Sequence, residues 1–141
     1  MKKYVLLIIV AVMVFGLAGC GSLDYPKGNV TAEVKEGSLT NTQLTLVLTN
    51  DTDREYTTGL SFRIERRTWR GWVEPEIPWG TVWRLPGIII PPNSEIELVR
   101  NFANVYGELP PGRYRIVKGY SYWRAPGDTD QFEVYAEFVI E

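Results

Sequence analysis

From Val30 onward the apolar residues of this chain recur at every second position, and no stretch of eleven residues prefers the spacing of a helix. Val30, Ala32 and Val34 alternate with Thr31, Glu33 and Lys35. Leu44, Leu46 and Leu48 alternate with Thr45, Val47 and Thr49. The same holds for Leu60, Phe62 and Ile64, for Ile96 and Leu98 against Glu95 and Glu97, and for Phe132 through Ile140. A period of two places one set of side chains on a core and the other in water. Turn signals separate these runs: Gly37, the Asn50-Asp51-Thr52-Asp53 cluster, Pro91-Pro92-Asn93-Ser94 and Pro110-Pro111-Gly112. The pattern predicts about seven short strands in an antiparallel β-sandwich. No internal repeat points to a solenoid or propeller. Glu74 to Ile90 is the least regular part, because Pro75, Pro78 and Pro86 break any ladder.

One stretch organises the rest. In Tyr106–Tyr120, the two prolines stop any preceding strand, and Gly112 frees the backbone to enter the next one. Tyr114, Ile116, Lys118 and Tyr120 then share a face. A tyrosine two residues after Pro-Gly suits a tyrosine corner, its ring in the core and its hydroxyl bonded to the backbone just upstream.

The first residues have the order of an export signal. Lys2 and Lys3 precede an apolar run, Tyr4 to Phe15, that is too short to span a bilayer as a helix. The run closes on Leu17-Ala18-Gly19-Cys20, which resembles a bacterial lipobox cleaved before the cysteine. That resemblance implies a signal peptide at 1–19, a lipidated Cys20 with a tether to residue 28, and a sandwich domain at 29–141. Cys20 would carry diacylglyceryl and an N-acyl chain such as palmitate, and two or more chains hold stably to a membrane. The expected place is the extracytoplasmic face of the cell membrane.

Composition limits the chemistry. Removing Lys2 and Lys3 leaves 13 of the 15 basic residues against 17 acidic ones, so the net charge falls from −2 to −4. With no basic stripe, nucleic acid is not an expected partner. The chain has no histidine, which removes the usual general base and zinc ligand. Its single cysteine is the expected lipid attachment site, so neither a disulfide within the domain nor a thiol nucleophile is expected. The pairs Glu74/Glu76 and Glu95/Glu97 each lie on one side of a strand and read as solvated surface. Asp51 and Asp53 read as turn residues, lacking the glycine and closing glutamate of a calcium loop. No catalytic residue, metal or cofactor is expected.

The quoted segments together resemble a known family. LTLVLTNDTDREYTTGLSFRIERR, a Gly-Trp hairpin, PPNSEIEL, YGELPPGRYRIVKGY and a last strand EVYAEFVIE are similar to the bacterial immunoglobulin-like domain of small lipoproteins from Bacillus-type Gram-positive bacteria. The resemblance runs from about Val30 to Glu141. It implies an immunoglobulin-like sandwich with Tyr114, Gly112 and Trp72 in structural roles and no catalytic residues. A more distant likeness is to bacterial proteinase-inhibitor sandwiches.

The tryptophans are the candidate contacts. Trp69, Trp72, Trp79 and Trp83 fall close together, interleaved with Arg70 and Arg84. Exposed tryptophans grip sugar rings or protein partners. Trp72 is expected in the core, and Trp79 and Trp83 are open between plug and contact. Trp123 and Arg124, in the loop before the last strand, are expected to share a loop-end surface with Trp79, Trp83 and Arg84. The expected function is non-catalytic binding or scaffolding at the cell envelope. The alternatives are cell-wall glycan binding through exposed tryptophan and a proteinase-inhibitor-like module.

Overall fold

The computed structural model describes residues 28–77 and 87–141. Two antiparallel sheets enclose one core. The smaller has the order β1-β2-β7, from β1 (Val30–Val34), β2 (Gln43–Asn50) and β7 (Ser94–Asn101). The larger is built around β8 (Gly112–Ala125), which pairs with β9 (Asp128–Ile140) along one edge. Its other edge takes two strands in succession, β4 (Arg63–Thr68) and then β3 (Tyr56–Thr58). Outside them lie β5 (Gly71–Val73) and β6 (Ile88–Ile90). A single helical turn, α1 (Ala103–Tyr106), follows β7 and buries Val105 and Tyr106.

The period-two sets face each other across the core. Leu44, Leu46 and Leu48 of β2 are fully buried against Ile64, Tyr114 and Ile116, with Ala136, Phe138 and Ile140 closing the far side. Two aromatic clusters fill the ends. Tyr114 and Phe138 stack at 5.7 Å, with Phe102 next to Phe138 at 6.0 Å. Tyr56, Tyr120 and Phe132 form the second, with Tyr120 and Phe132 at 5.2 Å.

Three buried tyrosines, Tyr106, Tyr114 and Tyr120, have a partner for the hydroxyl, which offsets the cost of burying a phenol. Tyr114 donates to the Pro110 carbonyl at 2.6 Å, which closes the corner before β8. Tyr120 accepts from the Val30 amide at 3.3 Å, so the start of β1 is pinned to the other sheet. The Gly28 backbone lies so close to that ring that a β-carbon there would sit 2.0 Å from the Tyr120 hydroxyl. Tyr106 accepts from the Ile64 amide at 3.1 Å and donates to Glu74 at 2.7 Å. Asn50, also fully buried, donates to the carbonyls of Arg54 and Pro91 and accepts from the amide and hydroxyl of Thr52, which ties two turns together.

The structure departs from the sequence pattern in three places. Nine strands are present among the described residues, where the pattern predicts about seven, because short edge strands carry too few residues to show a period. Leu60, Phe62 and Ile64 do not form one strand: the chain leaves the ladder after Thr58 and rejoins it at Arg63. Trp123 and Arg124 belong to β8 itself, which meets β9 at a Pro126-Gly127 turn with Gly127 at φ 77°.

Removing the Tyr114 hydroxyl (Tyr114→Phe) deletes one hydrogen bond and leaves the ring in place. Urea unfolding of the full chain is expected to show a loss of about 1 kcal/mol. An unchanged midpoint would mean that the corner bond contributes nothing.

Candidate functional site

The interior holds two cations. Lys118, on the core face of β8, is fully buried, and its ammonium donates to the carbonyls of Gly59 and Ser61, the latter at 2.6 Å. Those carbonyls lie where the chain passes from β3 to β4. Arg100 of β7 donates from Nη1 to the Val99 carbonyl at 2.8 Å, while its buried Nε and Nη2 have no partner. Burial pulls the Lys118 amine down to about 7, and the Arg100 charge acts in the same direction. Burial likewise lowers Arg100. Among the described residues no carboxylate pairs with either cation, and Lys118 is committed to backbone carbonyls. The pair is part of the frame.

The outer face of the larger sheet is different in kind. Here Arg115 donates to Glu65 at 2.7 Å, and Glu65 also accepts from Arg63 at 3.3 Å. Arg63 reaches Glu133 at 3.2 Å and Arg113 reaches Glu137 at 3.4 Å. The guanidinium of Arg115 lies 4.7 Å from the Trp72 ring and 4.8 Å from the Tyr135 ring, and Arg67 covers Trp72 at 5.6 Å. At the tip of the β4–β5 hairpin, Arg70 stacks on Trp69 at 4.6 Å. Trp69 is 88% exposed, more than any other large apolar residue described.

At the opposite end of the sheet stands the β8–β9 tip. Trp123 is 61% exposed there. Arg124, at a register shift in the strand pairing, donates to Asp128 at 2.7 Å and to Asp130. The two carboxylates hold Arg124 above its ordinary range, and Arg124 in turn lowers Asp128. Arg54 lies 4.8 Å from the Tyr122 ring beside them.

Two of the recesses among the described residues border the larger sheet at β9 and β8. One of about 300 Å³ lies between the edges of β1 and β9, lined by Val30, Ala32 and Val134 with Glu133 at its side. The other, of about 320 Å³, is walled by Thr57, Ser61, Ser121 and Gln131 over Gly119. Neither brings together a nucleophile and a base. Among the described residues no cluster of three or more His, Cys, Asp or Glu is placed to hold a metal ion. Glu74 is bonded to Tyr106, Glu97 to Lys35 at 2.9 Å, and Asp53 to Asn93 at 3.0 Å.

The profile of the bacterial Ig-like domain matches residues 26–139, from ahead of β1 almost to the end of β9. The chain belongs to that family. A comparison with curated proteins gives no match. The Ig-like sandwich accounts for the two antiparallel sheets and for Tyr114 and Gly112 at the head of β8. It is a frame for non-catalytic binding or scaffolding.

Within this Ig-like domain the tryptophans sort differently from their spacing in the chain. Trp72 is not in the core. It pairs with Arg67, and because Ile64 sets the inward side of β4, Arg67 and Trp72 fall on the outward side, half-buried under two guanidinium groups. Trp123 and Arg124 are exposed at one end, and Trp69 at the other. Cys20, Trp79, Trp83 and Arg84 lie outside the described residues, so a surface shared by Trp123 and Trp79 is not among the described contacts. The pattern of the sequence missed Arg67, Arg113 and Arg115 as a group. Only the strand register brings them together, although their outward parity in alternating strands was available.

Lys118 yields a test with a definite sign. Its folded value of about 7 lies below the unfolded value of 10.5. Between them the unfolded chain binds more protons, so stability is least below about pH 7 and rises as the pH climbs from there. Unfolding free energy of the full chain should gain about 1 kcal/mol per pH unit between pH 7 and 9. Lys118→Met should remove that slope; a slope kept by the variant would assign the effect to another group.

Proposed function

We propose that this Ig-like domain is a non-catalytic binding module of the cell envelope, held at the extracytoplasmic face of the membrane by lipid on Cys20. The observation that carries the binding role is the pair of exposed tryptophans, Trp69 and Trp123, each beside an arginine on a hairpin tip of a rigid sandwich. Tryptophan with arginine is the combination that dominates contact energies in interfaces. A core that leaves two large rings in water has kept them for contact. The anchoring role is supported by the order of charge, apolar run, small residues and cysteine at the start of the chain.

The expected tether ends at Gly28. Gly28 and Val30 lie against Tyr120, toward the β8–β9 tip. The eight residue-to-residue steps from Cys20 to Gly28 span at most about 28 Å when extended. The domain would therefore stand close to the bilayer with the β8–β9 tip nearer to it than the β4–β5 tip. An aspartate-bearing proximal end suits an aqueous position beside the headgroups and does not call for insertion.

Expression of the full chain in a bacterium, with radiolabelled palmitate and membrane fractionation, tests the anchor. The unaltered chain should carry label and sediment with membranes, and Cys20→Ala should do neither. Label or membrane association that survives the substitution would overturn it.

A further inference from the structure

The larger sheet shows arginines without a carboxylate partner at one end and a cluster of aspartates at the other. β4 runs antiparallel to β8, so the β4–β5 tip lies level with the start of β8, where Arg66 pairs with Tyr114 and Gly112 with Ile140. Arg66, Arg67, Arg70, Arg113 and Arg115 all fall within this end. Its carboxylates on the same sheet are Glu65, Glu137 and Glu141, of which Glu65 is taken up by Arg115 and Arg63 and Glu137 by Arg113; Glu74 and Glu108, in the flanking loops, are bonded to Tyr106 and Asn41. Among the described residues Arg66, Arg67 and Arg70 have no carboxylate partner: Arg66 donates to the Pro111 carbonyl, and the other two lie over Trp72 and Trp69. The β8–β9 end, by contrast, carries Asp51, Asp53, Glu55, Asp128 and Asp130 against Arg54 and Arg124. The chain is acidic as a whole, so the basic end is a local concentration and not a reflection of composition.

We propose that this basic end, centred on Trp69, Arg70 and Arg67, binds an anionic glycan chain. The reading rests on the binding role given above and names its surface and ligand class. A guanidinium stacked on a ring keeps its N–H edge free and fixed in direction, the geometry that takes a carboxylate or phosphate in a bidentate pair. Trp69 offers a fully solvated ring face, and the apolar C–H face of a sugar fits on it while the anionic substituent meets the arginine.

The surroundings favour a glycan over a folded protein. Trp69 is flanked by Thr68, Arg70 and Gly71, Trp72 is half-covered by guanidinium groups, and the exposed Val73 and Val139 at this end stand among arginines, so the apolar surface is broken up by charge. Protein interfaces place their strongest contacts in a dry apolar centre. A hydrated polymer needs only the ring and the charges. The end also faces away from the start of β1: along β8 the step from Tyr120 back to Gly112 covers about 26 Å. A ligand there meets the domain from the side opposite the tether.

The test uses the full chain in detergent micelles, with polygalacturonate as the anionic glycan, dextran as the neutral glycan, polyglutamate as a ringless polyanion and oligothymidylate as a nucleic acid. Polygalacturonate should bind with an affinity that falls as salt rises, and the other three should bind about tenfold more weakly or not at all. Trp69→Ala should weaken binding about fivefold and Arg67→Ala with Arg70→Ala about tenfold, with unfolding midpoints unchanged because none of the three touches the core. Val99→Ala, at an exposed position of the smaller sheet, should leave binding as it was. Equal binding by polyglutamate or oligothymidylate would overturn the glycan assignment. Loss of binding with Trp123→Ala but not Trp69→Ala would move the site to the other end, and no binding of polygalacturonate would refute it. None of these outcomes depends on Cys20, whose anchoring role stands or falls on fractionation.

Discussion

The larger sheet is organised around the Lys118 side-chain nitrogen, which meets two backbone carbonyls. β8 pairs with two different strands along one edge, and the four residues between them, Gly59 to Phe62, leave the ladder to let that happen. Backbone carbonyls turned out of a ladder need a donor from elsewhere. Lys118 supplies it from the strand opposite. Burying a cation is costly, and the nearby Arg100 raises that cost, so the arrangement adds little net stability. What it fixes is geometry. With the crossover held, β3 and β4 take their places beside β8, and Tyr56 and Ile64 enter the core from opposite halves of the same edge.

That geometry decides where the exposed rings go. Both β4 and β9 run antiparallel to β8, one arriving at its start and the other leaving from its end. The β4–β5 and β8–β9 tips are therefore at opposite ends of one sheet. A rigid frame between them keeps an arginine–tryptophan end and an aspartate-bearing end apart. The buried tyrosines add to the rigidity, since Tyr120 ties the start of β1 across to the larger sheet and Tyr106 ties α1 to β4. An Ig-like domain of this kind needs no moving part to bind. Its specificity lies in which residues the ends display.

Much of this was legible in the chain. Strands with one wet face must alternate, so the inward sets of β1, β2, β7 and β9 could be read directly, and the double proline before Gly112 marked the corner at Tyr114. Lys118 was read on the correct face, but nothing local shows that a lysine there is meeting carbonyls nearly sixty residues earlier. Trp72 was misplaced for a related reason. Its side is set by pairing with Arg67 across a two-residue turn, so a tryptophan expected to plug the core lies under guanidinium groups outside it. The charge difference between the ends was invisible, because Arg67 and Arg113 are far apart in sequence and meet only through the register. Trp69 stands in the same aromatic group of the sequence as Trp79 and Trp83; a hairpin tip at Trp69 to Trp72 is readable in the chain, but the exposure of the Trp69 ring on it required the fold.

The central claim is that the two ends are functionally unequal and that the basic end makes the contact. Backbone NMR of the full chain, titrated with polygalacturonate, tests this residue by residue. The account predicts shifts confined to the amides of Arg66 to Trp72 and Gly112 to Arg115, with Trp123 to Asp130 unmoved. Shifts that concentrate at Trp123 to Asp130, or spread evenly over both ends, would contradict it.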